Sequence, residues 1–127
     1  MRVLVADDQN LIREGVRLLL ESRAGYSVCG EAANGQEAVE KARELQPDLL
    51  ILDVTMPVLN GFDAARMIRK FCPHVPILIL SMHNSRQLVE EARKIGVQGY
   101  VTKMNLEEQL VNAARAVLDD ETFFPLI

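Results

Sequence analysis

Residues 49–53, Leu-Leu-Ile-Leu-Asp, are four consecutive apolar residues followed by a carboxylate. Continuous apolar runs of this length are typical of strands that are buried on both faces in a parallel sheet. Three further runs lead in the same way into polar residues: 3–6 into Asp7 and Asp8, 77–80 into Ser81, and 99–102 into Lys103. Ligands of open α/β sheets bind beyond the carboxyl ends of the strands, so we expect these side chains to converge at one edge.

Helical patterns alternate with the strands. The first has an apolar stripe at helical spacing, formed by Leu11, Ile12, Val16, Leu19 and Leu20. A second strand is predicted from Ser27 to Ala33. The following helices are predicted from capping-box-like sequences at residues 34–37 and 84–87, from Gly61 to Phe71, and from residue 105 onward. Gly96 is well placed as a C-terminal glycine.

Five βα units with right-handed crossovers form a parallel sheet with helices on both faces. The predicted fold class is therefore α/β, a flavodoxin-like, doubly wound, five-stranded parallel sheet with strand order 2-1-3-4-5. This order places the first and third strands side by side, so Asp7, Asp8 and Asp53 become neighbours at the switch point.

Length, charge and cysteine content limit the classes of protein. A chain of 127 residues fits one domain, and its net charge of −4 argues against a surface that contacts nucleic acid. Two isolated cysteines do not form a disulfide framework. The chain shows neither a signal peptide nor an apolar run of membrane-spanning length, so we expect a cytoplasmic protein without membrane contact.

The predicted cluster favours metal-assisted phosphoryl chemistry. Three adjacent carboxylates repel one another, and a hard divalent cation, Mg²⁺ with Mn²⁺ as an alternative, relieves that repulsion. Lys103 and Ser81 suit a phosphate, and Asp53 is the best candidate for a nucleophile that forms an aspartyl-phosphate. Thr55, in the loop after Asp53, is the natural source of a backbone carbonyl ligand.

The order of these residues resembles the receiver family of response regulators, the chemotaxis-type phosphoacceptor domain. The resemblance covers essentially the whole chain and depends on the motif residues in sequence: Asp7-Asp8, Asp53 followed by Met56-Pro57 and Gly61, Ser81, and Gly99-Tyr100 before Lys103. Residues 80–83 and 113–117 are most similar to NarL/FixJ-type receivers, which usually precede a LuxR-type helix-turn-helix.

The resemblance implies a role for each site residue. Asp53 matches the position that a sensor histidine kinase phosphorylates. Asp8, Asp53 and the Thr55 carbonyl match direct Mg²⁺ ligands, whereas Asp7 matches a ligand that acts largely through water. Ser81 and Lys103 match the groups that grip the phosphate, and Tyr100 matches a switch aromatic that turns inward. The implied protein is a signalling domain and not an enzyme, although it assists its own phosphotransfer and slow autodephosphorylation.

Other interpretations are weaker. A haloacid-dehalogenase-like phosphatase expects Asp-x-Asp after the first strand, and a nucleotide-binding module expects a glycine-rich loop there. A stand-alone receiver and a phosphorylation-independent adaptor stay open. We expect a receiver domain over residues 1–119, with 120–127 as a tail or the start of a linker to a DNA-binding output domain, and homodimerisation on phosphorylation.

Overall fold

The computed structural model describes residues 1–125. Its strands are β1 (Arg2–Ala6), β2 (Ser27–Ala32), β3 (Leu49–Asp53), β4 (Ile77–Ser81) and β5 (Gly99–Thr102). Its α-helices are α1 (Asn10–Leu19), α2 (Gly35–Leu45), α3 (Gly61–Phe71), α4 (Arg86–Ile95) and α5 (Leu106–Leu118). A π-helical turn, Leu20–Ala24, continues α1, and a 3₁₀ turn, Lys103–Asn105, precedes α5.

The strands form one parallel sheet in the order β2-β1-β3-β4-β5, which confirms the predicted topology. The register aligns Ala6 with Leu52, so Asp7 and Asp53 follow paired positions on adjacent strands. Across β4 and β5, Ser81 pairs with Thr102, which places Lys103 one residue beyond the pair.

The sheet separates two apolar cores, because successive strand residues point to opposite faces. Leu4, Leu50, Leu52 and Ile79 pack with α2, α3 and α4. Val3, Val5, Leu49, Ile51, Leu78 and Leu80 pack on the other face with α1 and α5. Burial of both faces explains why the strands read as uninterrupted apolar runs.

Helix termini follow the predicted chemistry with some corrections. The Asn34 side chain caps α2 by accepting from the Glu37 N–H at 2.8 Å, and Gly96 ends α4 with a positive φ of 89°. The predicted cap at Asn84 was wrong by one residue, because the Ser85 hydroxyl accepts from the N–H of Leu88. Leu11 is 79% exposed and does not belong to the buried stripe of α1.

The chain after α5 returns along the sheet. Phe123 forms an isolated parallel bridge with Gly99 beside β5. The boundary after residue 119 stays a prediction, and the end of its proposed linker, residues 126–127, lies outside the described part. None of the helices within residues 1–125 has the length and apolar character needed to cross a membrane.

Candidate functional site

The polar residues predicted from the strand ends meet at the carboxyl edge of the sheet. Asp7, Asp8 and Asp53 each offer a carboxylate oxygen, and these three oxygens lie within 4.8 Å of one another. A cleft of about 180 Å³ beside them is lined by Asp8, Gln9, Asp53, Thr55, Met82 and Lys103. The sheet topology therefore assembles one acidic site from segments that are far apart in sequence.

Asp7 is the innermost carboxylate of the site. Its side chain is fully buried, and its Oδ1 accepts from the Gln9 N–H at 2.8 Å. The Lys103 ammonium lies 2.8 Å from Oδ2 of Asp7, yet within residues 1–125 that oxygen accepts no hydrogen bond. Lys103 partly balances the charge of this oxygen, and its lone pairs still leave room for it to bind a cation.

The donor set fits a hard divalent cation. It consists of carboxylate oxygens, two of them on buried residues and the third on exposed Asp8, which faces solvent at the rim of the cluster. Oxygen ligands that include one or two carboxylates and leave room for water and phosphate are the preference of Mg²⁺. The residues present therefore support a cation site at Asp7, Asp8 and Asp53.

Asp53 has an altered acidity because of its surroundings. Burial, reinforced by the negative charge of Asp7, raises the pKa of Asp53 from an ordinary 3.8 to about 6. Lys103, whose ammonium lies 3.3 Å from Oδ2 of Asp53, and the N–H of Thr55 partly oppose this rise in pKa. A carboxylate that is buried but borders a cleft is well suited to react with an incoming electrophile once a cation balances its charge.

Lys103 is held by three groups at once. Besides the two carboxylates, its ammonium donates to Oε1 of Gln9 at 3.2 Å. Gln9 also anchors Asp7 through its backbone N–H, so it connects the buried carboxylate with the lysine. Sequence reasoning did not single out Gln9, although its place directly after Asp7 and Asp8 was a usable signal.

Ser81 and Tyr100 lie at the β4 side of the site. Ser81 is buried, and its hydroxyl accepts from the His83 N–H at 3.0 Å. The Tyr100 ring is fully buried, and its hydroxyl donates to the His83 carbonyl at 2.6 Å. Burial raises the pKa of Tyr100, and hydrogen bonding with Ser81 acts in the opposite direction. Tyr100 thus already points inward in this structure, and its movement on phosphorylation stays a prediction.

The loop after Asp53 closes against α3 through a glycine. A Cβ atom at Gly61 would lie only 2.0 Å from the Asp53 carbonyl oxygen, so only glycine fits there without backbone movement. The Gly61 N–H also donates to the Val54 carbonyl at 2.9 Å. Within this loop, exposed Val58 has a positive φ of 71°, which is unfavourable for a β-branched residue.

Both histidines, both cysteines, Met82 and Thr55 are exposed or half-buried. His74 and His83 are both exposed, and Cys29 and Cys72 are half-buried free thiols. Met82 is 59% exposed and lines the cleft, so its side chain narrows the approach to Asp53. Thr55 is exposed beside the same cleft.

Comparison with known proteins yields a consistent set of relatives. A family model described as the response regulator receiver domain matches residues 3–115. Transcriptional regulatory protein LnrK of Bacillus subtilis (strain 168) is 38% identical over 92% of this chain and 53% of its own length. Chemotaxis protein CheY of Thermotoga maritima is 40% identical over 91% of this chain and 96% of its own length. The chain thus spans about half of the regulator and nearly all of the chemotaxis protein.

Solved structures share the whole architecture. A two-component response regulator of the LuxR family from Aurantimonas sp. SI85-9A1 has a TM-score of 0.91 and 38% identity, covering 96% of this chain and 87% of that one. The signal receiver domain of a putative response regulator NarL from Mycobacterium tuberculosis has a TM-score of 0.85 and 31% identity, covering 93% and 95%. These neighbours agree with the NarL/FixJ-type resemblance. The chain belongs to the receiver domain family of two-component response regulators.

Proposed function

We propose that the domain is switched by phosphorylation of Asp53, with a sensor histidine kinase as the physiological phosphodonor. The observation that carries this proposal is the position of Asp53, a buried carboxylate that borders the cleft beside Asp7, Asp8 and Lys103. In the transfer, a carboxylate oxygen of Asp53 bonds to phosphorus. The bond from phosphorus to the donor nitrogen breaks, and its electron pair leaves with the donor imidazole.

The other site residues would bind the cation and the phosphoryl group. Asp7, Asp8, Asp53 and the Thr55 carbonyl would hold Mg²⁺, or Mn²⁺, and the bound cation would neutralise charge on the transferring group. Lys103 balances the charge of the carboxylates and then pairs with the phosphoryl oxygens. Ser81 donates its hydroxyl hydrogen to a phosphoryl oxygen. Slow hydrolysis of the acyl phosphate at the same site resets the domain.

Phosphorylation of Asp53 would change the structure of the segments that follow β4 and β5. A phosphoryl group on Asp53 draws Ser81 and Lys103 toward it, and the loop that contains His83 moves with Ser81. Tyr100 donates to the carbonyl of the same loop, so its buried orientation is sensitive to that movement. Phosphorylation therefore biases an existing equilibrium between two arrangements of α4, β5 and α5.

We infer that the altered surface supports homodimerisation and controls transcription through a helix-turn-helix domain outside this chain. The inference draws on relatives such as LnrK, a transcriptional regulatory protein about twice as long as the matched region. The net charge of −4 agrees with an output by protein contact and not by direct contact of this domain with nucleic acid. A cytoplasmic location follows from this role.

Intact-mass measurement tests the central proposal. The protein is incubated with MgCl₂ and acetyl phosphate, and we expect a mass increase of one phosphoryl group that disappears when EDTA replaces MgCl₂. Asp53→Asn should abolish the increase, whereas Asp63→Asn, the same change at the start of α3, should retain it. Equal labelling of Asp53→Asn and wild type would show that another residue accepts the phosphoryl group.

The adaptor alternative makes a different prediction. A phosphorylation-independent adaptor would bind its partner with the same affinity before and after labelling. For the proposed switch, analytical ultracentrifugation should detect more self-association of the labelled domain than of the unlabelled one. Multiple turnover of a phosphomonoester would instead favour the phosphatase interpretation.

A further inference from the structure

The segment after α5 occupies the free edge of the sheet. β5 is the last strand in the order β2-β1-β3-β4-β5, so without a cover the side facing away from β4 would expose unpaired backbone groups. The Phe123 N–H donates to the Gln98 carbonyl at 3.0 Å, and the Tyr100 N–H donates to the Phe123 carbonyl at 2.8 Å. These bonds are arranged as in a short parallel strand that covers the edge of β5.

Side chains of the segment after α5 pack on both faces of the sheet. Phe123 packs against the core on the α1 and α5 side, whereas Phe124 packs against the core that contains Tyr100. The Arg93 guanidinium of α4 lies 4.0 Å from the centroid of the Phe124 ring. Adjacent residues of an extended segment point to opposite faces, which explains this division of the two phenylalanines.

Tyr100 is consequently held at two points. Its backbone N–H is bonded to Phe123, and its side-chain hydroxyl is bonded to the carbonyl of His83, two residues after Ser81. An outward turn of the tyrosine would remove its ring from the core against which Phe124 packs. The edge segment is therefore bonded to the backbone of Tyr100, and the loop that follows Ser81 is bonded to its hydroxyl.

We propose that residues 121–125 are a regulatory strand whose docking on β5 and α4 stabilises the buried orientation of Tyr100 and thereby favours phosphorylation of Asp53. The predicted effect on phosphorylation of Asp53 rests on the proposed function. The occupant of the β5 edge is the chain's own segment, because its backbone pairs with β5 and its two rings pack against the two cores. Coupling is reciprocal, so phosphorylation of Asp53 strengthens docking by the same factor.

Fluorine NMR can report whether the Tyr100 ring is buried, because the chemical shift of a fluorine on the ring depends on its surroundings. The chain contains two tyrosines and no tryptophan, so incorporation of 3-fluorotyrosine produces two signals, and Tyr26→Phe identifies that of Tyr100. In the unphosphorylated protein, Phe124→Ala and Arg93→Ala should move the chemical shift of the Tyr100 signal toward the value of a solvent-exposed fluorotyrosine. Thr122→Ala, an exposed change in the same segment, and Lys94→Ala, an exposed change next to Arg93, should leave it unchanged.

Labelling with acetyl phosphate measures the coupling. We expect Phe124→Ala to slow the labelling of Asp53 by about fivefold or more, because labelling scales with the fraction of molecules in the competent arrangement and a coupling of ordinary size shifts that fraction by at least this factor. Arg93→Ala removes a surface contact only, so it tests the proposal even if Phe124→Ala proves unstable.

An unchanged Tyr100 signal in both variants would overturn the docking role. A changed signal with unchanged labelling would overturn the coupling. Failure of wild type to label would contradict the proposed function alone, because the NMR comparison needs no phosphodonor.

Discussion

The ammonium of Lys103 lies closer to Asp7 than to Asp53, at 2.8 Å from Oδ2 of the first and 3.3 Å from Oδ2 of the second. The lysine thus pairs mainly with the buried carboxylate and less closely with the proposed phosphoacceptor. It is a positive charge placed among groups that would also bind a cation, so the lysine and the cation compete for the same negative charge.

Replacement of Lys103 tests whether its ammonium competes with a bound cation for the carboxylates. We expect Lys103→Met to destabilise the metal-free protein, because it leaves Asp7 and Asp53 without their nearest positive charge. Added MgCl₂ should raise the melting temperature of this variant more than that of wild type, as measured by circular dichroism. Labelling by acetyl phosphate should fall by about 10²-fold, the usual effect of removing one group that stabilises a developing charge. Lys94→Met, on the surface of α4, is the matched control, and an equal Mg²⁺-induced shift in all three proteins would contradict the competition.

The raised pKa of Asp53 predicts a pH dependence of stability. The folded protein holds a proton on Asp53 below about pH 6, whereas the unfolded chain holds it only below about 3.8. The folded state therefore binds more protons in this window, and the contribution of Asp53 to the free energy of unfolding decreases as the pH rises from about 4 to about 6.

Asp53→Asn isolates this contribution. We expect the variant to be more stable than metal-free wild type at pH 7 by on the order of 1–3 kcal/mol, since a shift of one pKa unit corresponds to about 1.4 kcal/mol. The difference should shrink as the pH falls toward 4, and urea denaturation in EDTA at several pH values measures it. A constant difference over this range would show that Asp53 does not titrate with a raised pKa.

Two glycines differ in what a methyl group would meet. Gly61→Ala places a Cβ against the Asp53 carbonyl, so the loop that carries the phosphoacceptor must shift. We expect a loss of stability of about 2–4 kcal/mol, in the range of severe packing defects, and slower labelling of Asp53. In the same assays Gly15→Ala in α1 should be neutral or stabilise the protein by up to about 1 kcal/mol, because within residues 1–125 a Cβ at Gly15 meets nothing within 4 Å beyond its own helix backbone and chain neighbours. Equal effects of the two changes would rule out the close approach of α3 to Asp53.

Val58 offers a test of backbone strain in the same loop. A left-handed conformation costs an L-residue with a side chain roughly 1–2 kcal/mol, and glycine avoids most of this cost. Val58→Gly should therefore be more stable in urea than Val58→Ala, which keeps a Cβ atom at the positive φ of 71°. The side chain is 80% exposed, so lost packing contributes little to the comparison. Higher stability of the alanine variant would indicate that φ is negative in solution.

The sequence predicted the strand ends from local patterns, and the acidic cluster followed from these ends together with the general rules for parallel sheets. Apolar runs identify buried strands, and parallel connections with the order 2-1-3-4-5 leave little freedom in where Asp7, Asp8, Asp53 and Lys103 meet. The helix starts were less certain. Asn84 and Ser85 are both good capping residues, and in the structure Ser85 caps α4. Leu11 matched the helical period but falls on the solvent side of α1.

Other features depend on distances between segments that the chain order does not specify. Gln9 contacts Lys103 across 94 positions of sequence, and the phenylalanines after α5 return to cover the edge of β5. The sequence by itself determined which groups reach the carboxyl edge of the sheet, because apolar runs locate the strands and parallel connections have one handedness. Only the tertiary structure decided that Lys103 favours Asp7, that Tyr100 is buried and that Phe124 packs beneath Arg93, because each depends on how side chains from separate elements share the same space.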